Sequence, residues 1–412
     1  MKIFTLVALL AAASADQFRY EGYKVYRIQP SGEKHLEILL ELKNYSELDF
    51  WSPLHRDGQP ITVMVNPQKQ HWFVGLLNKN AIRYEILIDN VERVLLEERF
   101  RQLFAPRSQQ GRIDFTRYLR HNEINAYLDQ LAEDYPNLVS LETIGKSYEG
   151  RALKLIKIST DPSANKPIIF IDAGIHAREW IAPPVALYAI HQLVENKENL
   201  KLLDKIDFHI LPVVNPDGYE YTHTNQRLWR KTRKPGTTCV GTDGNRNYDY
   251  HWAEIGSSSS ECSDIYHGQH AFSESETAAI RDHVLQNKNR AKLYLTVHSY
   301  GQLIVYPWSY TTELPEDHEE LQTVGELAAE GIRSVTGTKY RVGGSTSLLA
   351  ETAGSSDDWA KGAAGVALSY TLELPGGGSW GFDPPPEKIL PVVVETWEGL
   401  KAFHGYIEKK FG

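Results

Sequence analysis

Cysteine is scarce in this sequence. Its 412 residues include two. A disulfide-rich scaffold and a four-cysteine zinc module are both excluded. Positive charge is not in excess either. The chain has 44 Lys and Arg against 53 Asp and Glu, a net charge of −9. That balance gives no support for a nucleic-acid or other polyanion partner. No apolar run approaches the roughly 18 residues of a membrane span. Internal repeats are not visible, and the one low-complexity patch, residues 257–260, reads as a surface loop. What is present is globular in character: 42% hydrophobic and 24% charged residues, with enough Tyr and Trp for a large core.

The N-terminus begins with Lys2, followed by an apolar run and then Ala13-Ser14-Ala15. A short positive start, an apolar stretch and a small-x-small site together predict a secretory signal over residues 1–15. The protein is therefore expected to be soluble and secreted, in a compartment where disulfides persist.

Residues 16–107 read as a separate small domain. Strand-like alternation at 23–28, 48–51, 61–65 and 84–88 is interleaved with helical spacing at 34–43 and 67–80. The order β-α-β-β-α-β predicts a ferredoxin-like α+β sandwich. A charged amphipathic helix at 91–104 leads into a polar stretch with Arg107 and Arg112. That stretch suits a cut by a trypsin-like protease, and equally an uncut interdomain linker.

Beyond about residue 113 the pattern changes. Apolar runs at 154–158, 168–171, 208–214, 293–297 and 366–374 alternate with helical stretches. Strands buried on both faces predict an α/β domain, a mixed β-sheet flanked by helices.

One of these strands runs into His176-Ala-Arg178-Glu179. An imidazole and a carboxylate three residues apart can converge on one borderline metal ion. Alone, that pair is a weak signal. His298, at the end of another apolar run, offers a third ligand where sites gather in open α/β sheets. Arg230 and the Asn245-Arg246 pair lie in polar loops, and arginines clamp carboxylates through paired hydrogen bonds. Glu373 sits at the end of the 366–374 run, placed to act as a general base toward a metal-activated water. Taken singly, each has an ordinary structural explanation: a satisfied histidine, a surface ion pair, a strand-end cap.

Together, in order, the motifs are specific: HAREW at 176–180, NPDGY at 215–219, LWRKTR at 228–233, DGNRN at 243–247, HSYGQL at 298–303, SSDDW at 355–359 and TLEL at 371–374. The series resembles the pancreatic-type metallocarboxypeptidases, zinc exopeptidases that remove one C-terminal residue. The resemblance covers nearly the whole chain after the signal. It implies one Zn2+ per chain held by His176, Glu179 and His298, the His2Glu set of carboxypeptidase A. It implies Glu373 as general base and then proton donor to the leaving amine, and Arg230 as stabiliser of the oxyanion. Asn245 and Arg246 would bind the substrate's free carboxylate, with Arg178 and Tyr300 lining the subsite one residue upstream. An internal peptide bond offers no such carboxylate and would leave Arg246 unpaired.

The resemblance also implies that 16–107 is an inhibitory pro-segment cut after Arg107, and that 108–412 is the catalytic domain. It pairs Cys239 with Cys262. The expected partners are peptide and protein C-termini, a trypsin-like activating protease and proteinaceous carboxypeptidase inhibitors, with the chain a monomer.

Two positions refine this reading. Asp357 falls at the floor of the family's specificity pocket, where an acidic residue suits C-terminal Lys or Arg, the B-type preference. Ser309, Ser345, Thr352, Ser355 and Thr371 would wall a polar pocket. Counting back from Asp357 to the family's mobile tyrosine gives Ala350, so the phenolic cap is missing. Weaker substrate binding is expected. Three alternatives remain: A-type specificity for apolar C-termini, a related zinc deacylase, and a catalytically impaired carboxypeptidase-like binding protein. The Asn245-Arg246 pair and the pro-segment argue against the deacylase. Only Ala350 favours the binding protein.

Overall fold

The computed structural model describes residues 17–412 apart from 44, 53, 55–57, 106–112, 379–380 and 383. The signal at 1–15 and the cut after Arg107 lie outside the described residues.

The N-terminal part follows β1 (Lys24–Gln29), α1 (Glu33–Leu42), β2 (Leu48–Phe50), β3 (Ile61–Val65), α2 (Gln70–Lys79) and β4 (Arg83–Ile88). The sheet order is β2-β3-β1-β4. All neighbours are antiparallel. This is the ferredoxin-like sandwich that the periodicity predicted. Ile28, Ile61 and Val63 pack against Leu39 of α1 and Phe73 of α2. A helix, α3 (Val91–Phe104), then leaves the domain. The Asn90 side chain caps it by accepting the Glu92 amide at 3.1 Å. Val91 and Leu95 are buried, whereas Phe100, Leu103 and Phe104 face solvent.

The larger part begins with α4 (His121–Asp134), β5 (Val139–Lys146), β6 (Ala152–Ile158), β7 (Ile168–Ala173) and α5 (Ala182–Val194). It continues through β8 (Asp207–Leu211), α6 (Pro216–Thr224), α7 (Ser275–Gln286), β9 (Ala291–Ser299) and β10 (Leu303–Tyr306). It ends with α8 (His318–Thr336), β11 (Arg341–Gly344), α9 (Ser345–Leu348), α10 (Ser356–Gly362), β12 (Leu368–Leu374) and α11 (Ile389–Phe411).

Eight strands form one sheet in the order β11-β10-β12-β9-β7-β8-β6-β5. The central β12, β9, β7 and β8 are parallel, and antiparallel strands flank them. The mixed sheet is as expected. Every residue of β7 and β8 is buried, because helices cover both faces. Ile169 and Ile171 point to the side packed by α4, α5, α8 and α11. Phe170, between them, points to the side packed by α7 and α10. That alternation is the pleat expressed in the core.

Two details differ from the sequence reading. The strand carrying His298 runs on to Ser299, so His298 lies within β9 rather than just past it. Strands β5, β10 and β11 were not singled out. β10 and β11 have four residues each, and half of β11 is glycine, so they carry little periodic signal.

Candidate active site

The site lies at the carboxyl ends of parallel β7, β9 and β12. His176 and Glu179 follow β7 directly. Their backbone is fixed where the Ala177 amide donates to the Arg230 carbonyl at 3.0 Å. His298 comes from β9. Glu373 of β12 is its register partner on the next parallel strand. Sheet pairing alone therefore brings the candidate base beside a candidate ligand.

His176, Glu179 and His298 are buried, and one ligand atom of each lies within 4.8 Å of the others. The His176 Nδ1 is 2.8 Å from Glu179 Oε1. The His298 Nδ1 is 3.1 Å from the His176 Nδ1 and 3.2 Å from Glu179 Oε2. The outer nitrogens are engaged elsewhere. His176 Nε2 lies 3.0 Å from Asp243 Oδ1. His298 Nε2 lies 3.1 Å from Thr296 Oγ1, which itself donates to Asp172 at 2.7 Å. A proton on each outer nitrogen leaves both Nδ1 lone pairs and a carboxylate facing one point. Two imidazoles and a carboxylate form the donor set of a catalytic zinc site. Burial opposes protonation of both imidazoles: with Arg230 it holds His176 below its ordinary value, whereas at His298 the charge of Glu179 overrides it and raises the imidazole to about 9. The residues fit the metal.

Arg230 lies at the edge of this cluster. Its Nη2 donates to Asp243 Oδ2 at 2.9 Å, and its Nη1 is 3.7 Å from Glu179. Asp243 thus orients both a candidate ligand and the candidate oxyanion donor. Burial pushes the Glu373 carboxyl up to about 7, with His298 opposing.

Asp243 also begins the turn that presents Asn245 and Arg246, its Oδ1 accepting the Asn245 amide at 3.0 Å. Asn245 Oδ1 accepts the Ser356 amide at 2.9 Å, which directs its NH2 group elsewhere. Cys239 and Cys262 are bonded, as the resemblance implied, and close the loop carrying this turn. Asp357, in the first turn of α10, is 2% exposed. Its Oδ2 has no hydrogen-bond partner. Ser309, Ser345, Thr352, Ser355 and Thr371 line the same cavity.

The N-terminal domain roofs the cleft. Arg178 Nη1 donates to both oxygens of Asp49 at 2.8 and 2.7 Å, and its guanidinium lies 4.3 Å from the Phe382 ring centroid. Tyr300 Oη is 3.0 Å from Thr62 Oγ1. The Ala350 amide donates to the Leu54 carbonyl at 2.9 Å, and its methyl packs against the pro-segment core. Every sequence-predicted site residue among those described falls around this one cleft. Five of its residues were missed: Asp243, Thr296, Asp172, Asp49 and Thr62. Asp243 was readable, since it opens the DGNRN motif. Asp49 carried no signal, because its partner is 129 residues away.

Two buried histidines and a glutamate that can hold a metal ion, with a buried carboxylate and an arginine beside them, make up the donor set of a metallohydrolase. The chain belongs to the zinc carboxypeptidases. Residues 124–399 match the zinc carboxypeptidase family, and residues 26–98 match the carboxypeptidase activation peptide. It is therefore a metallocarboxypeptidase zymogen. Carboxypeptidase B of Astacus astacus is 47% identical over 303 residues, 73% of this chain and all of that protein. Carboxypeptidase B of Helicoverpa zea is 43% identical, with 97% of each chain covered. The crystal structure of carboxypeptidase A from Helicoverpa armigera superposes with a TM-score of 0.90 at 35% identity, covering 95% of this chain and 98% of that one.

Proposed function

We propose that this chain is the secreted zymogen of a B-type carboxypeptidase, which removes C-terminal Lys or Arg. Asp357 carries the reading. It is a buried carboxylate with a free oxygen, surrounded by small hydroxyl side chains, and a cationic side chain entering the cavity supplies the missing partner. Two relatives named carboxypeptidase B agree with it.

The residues divide the work. Asn245 and Arg246 take the substrate's terminal carboxylate and set the scissile bond over His176, Glu179 and His298. Zinc, one ion held by those three side chains, supplies the Lewis acidity that makes water nucleophilic at neutral pH. Glu373 accepts the proton of the attacking water and delivers it to the leaving amine. Arg230, held by Asp243, faces the negative charge that develops on the carbonyl oxygen. Arg178 and Tyr300 bind the residue upstream once Asp49 and Thr62 have left.

The signal is assigned to 1–15, the pro-segment to 16–107 and the catalytic domain to 108–412, with activation after Arg107 by a trypsin-like protease. No helix among the described residues is long and apolar enough to cross a membrane. The digestive setting, a monomeric state and sensitivity to proteinaceous carboxypeptidase inhibitors belong to the same reading. The test is the trypsin-treated protein on paired peptides. A peptide ending in Lys is expected to be cleaved at least about tenfold faster than one ending in Phe, since each 1.4 kcal/mol is tenfold. The reverse preference removes Asp357 from specificity.

A further inference from the structure

Three cations line the cleft close enough for the charges of two to act on the third. Arg230 and Arg246 belong to the catalytic domain. The third is Lys43, on the turn that ends α1 of the pro-segment. It lines the same cavity as Asn245, Arg246 and Asp357. Its surroundings are unfavourable to charge: burial disfavours the ammonium, Arg246 and Arg230 add to that, and the pKa falls to about 7. Asp243 acts in the other direction, but it is already bound to Arg230 at 2.9 Å and to His176 at 3.0 Å.

The pro-segment brings its own carboxylate, Asp49, to Arg178 instead of to these three cations. Arg246 donates from Nη1 to the Asn245 carbonyl and from Nε to the Gly256 carbonyl. In the same cavity, Asp357 Oδ2 has no hydrogen-bond partner. The void is about 150 Å3. That is room for on the order of ten waters, enough for an amino acid the size of lysine. With the roof in place, Arg230 is paired with Asp243, whereas among the described residues no carboxylate lies within ion-pair distance of Lys43 or Arg246, and Asp357 Oδ2 keeps no hydrogen-bond partner.

We propose that the zymogen itself binds a free basic amino acid, L-lysine or L-arginine, in this cavity, and that Lys43 of the pro-segment is a third cation on its α-carboxylate. The idea rests on the B-type pocket proposed above and adds a ligand for the inhibited form. The ligand touches catalytic domain and pro-segment together, so by linkage it stabilises the docked roof. Free Lys and Arg are also the chemistry that the active enzyme releases. The cavity would thus let accumulated product hold back the shedding of further pro-segments.

The experiment is calorimetric titration of the zinc-loaded, full-length zymogen. L-arginine and L-lysine are expected to bind. Agmatine, which lacks the carboxylate, and L-norleucine, which lacks the cation, are expected to bind at least about tenfold more weakly. Lys43→Met is expected to weaken L-arginine about fivefold and leave agmatine unchanged. Lys43→Arg should retain the affinity, which separates charge from packing. Inhibition of the trypsin-activated enzyme by L-arginine should be the same for both variants and the parent, because the roof is gone. If Lys43→Met binds L-arginine as the parent does, or L-norleucine binds as well as L-lysine, the inference is wrong. If the activated enzyme prefers C-terminal Lys while the zymogen binds neither basic amino acid, this inference fails and the specificity reading stands. If the activated enzyme prefers Phe, both fail.

Discussion

The floor of the cleft and its roof are held in different ways. On the floor, Asp172, Thr296, Asp243 and Glu179 tie the two histidines and Arg230 into one buried hydrogen-bonded network. Asp172, Thr296 and His298 lie on adjacent parallel strands and His176 and Glu179 follow one of them, so backbone pairing sets their positions before any side chain chooses a rotamer, while Asp243 and Arg230 reach in from loops. The roof is held by separate contacts spread over its surface, among them the buried Asp49–Arg178 ion pair, the Thr62–Tyr300 hydroxyl contact, the backbone hydrogen bonds Ala350 to Leu54 and Phe18 to Asn225, the Gln102 side chain on the Tyr118 backbone, and the aromatic contact of Trp51 with Phe382. We infer from the difference how this zymogen is kept inactive: the candidate catalytic groups lie together beneath the roof, so inhibition would be coverage rather than distortion. A covering element can be removed without rebuilding what lies beneath, which suits activation by a single cut.

The sharpest way to break this comparison is to damage the floor and ask whether the roof notices. Glu373→Gln preserves shape and removes the proton acceptor. Activity after trypsin treatment is expected to fall about 10³-fold, with bound zinc, measured by metal analysis, and pro-segment retention both unchanged. Retained turnover would take Glu373 out of the mechanism. A loss of pro-segment binding would show that floor and roof are coupled after all.

The converse change strikes the roof. Asp49→Ala leaves Arg178, which is 2% exposed, without its carboxylate. Removing one member of a buried pair costs about 3–5 kcal/mol. The nicked pro-segment is expected to hold at least about 100-fold more weakly, since each 1.4 kcal/mol is tenfold, read by gel filtration and by residual activity of the nicked protein. kcat/KM of the fully activated enzyme should not change, because Asp49 is no longer present. If the nicked variant holds its pro-segment as tightly as the parent, the ion pair is not the anchor.

How much of this was legible in the sequence follows the same division. The floor was nearly all readable, because its residues lie in short local motifs at strand ends: His176 and Glu179 three apart, Asn245 beside Arg246, Glu373 after an apolar strand. The ferredoxin-like order was also readable, since short runs of β-branched and aromatic residues alternate along the sequence with stretches of helical spacing. The roof's contacts were not. Asp49 with Arg178 and Thr62 with Tyr300 are pairings across domains, and Lys43 shares a cavity with Arg246 only because the domains meet there. No local period encodes how two separately folded surfaces meet. Thr296 was hidden for another reason: inside an apolar strand, one hydroxyl reads as ordinary β-former chemistry.

A pH change separates roof from floor more gently. Glu98 of α3 is 5% exposed, and neither carboxyl oxygen has a hydrogen-bond partner. Burial raises its pKa above the usual carboxylate range, with Arg227 opposing. The sign follows from linkage: the docked helix binds a proton that the released helix gives up. Docking is strongest below the ordinary carboxylate pKa, and it weakens as pH rises from there to the raised value. Retention of the nicked pro-segment is expected to decline across that window, and Glu98→Gln is expected to flatten the decline. A retention profile that Glu98→Gln leaves unaltered would sink this reading.

The smallest effect is expected at the residue that belongs to both regions. Ala350 lies in the catalytic domain, yet its amide bonds to Leu54 and its methyl packs with the pro-segment core. Ala350→Tyr should therefore act in opposite senses before and after activation. In the free enzyme a phenol can close over bound substrate and add one hydrogen bond, worth about 1 kcal/mol. KM for a Lys-terminated peptide is expected to fall roughly fivefold, with kcat nearly unchanged, because Glu373, Arg230 and the metal ligands stay as they were. In the zymogen the same ring must displace packed pro-segment side chains, and overpacking costs about 1–3 kcal/mol. Nicked Ala350→Tyr should release its pro-segment faster than the parent. A lower KM together with slower release would mean that the ring finds room under the roof, and that an alanine here is not needed to seat it. A lower KM together with faster release would mean that this chain gains a closer fit between catalytic domain and pro-segment at the expense of substrate cover.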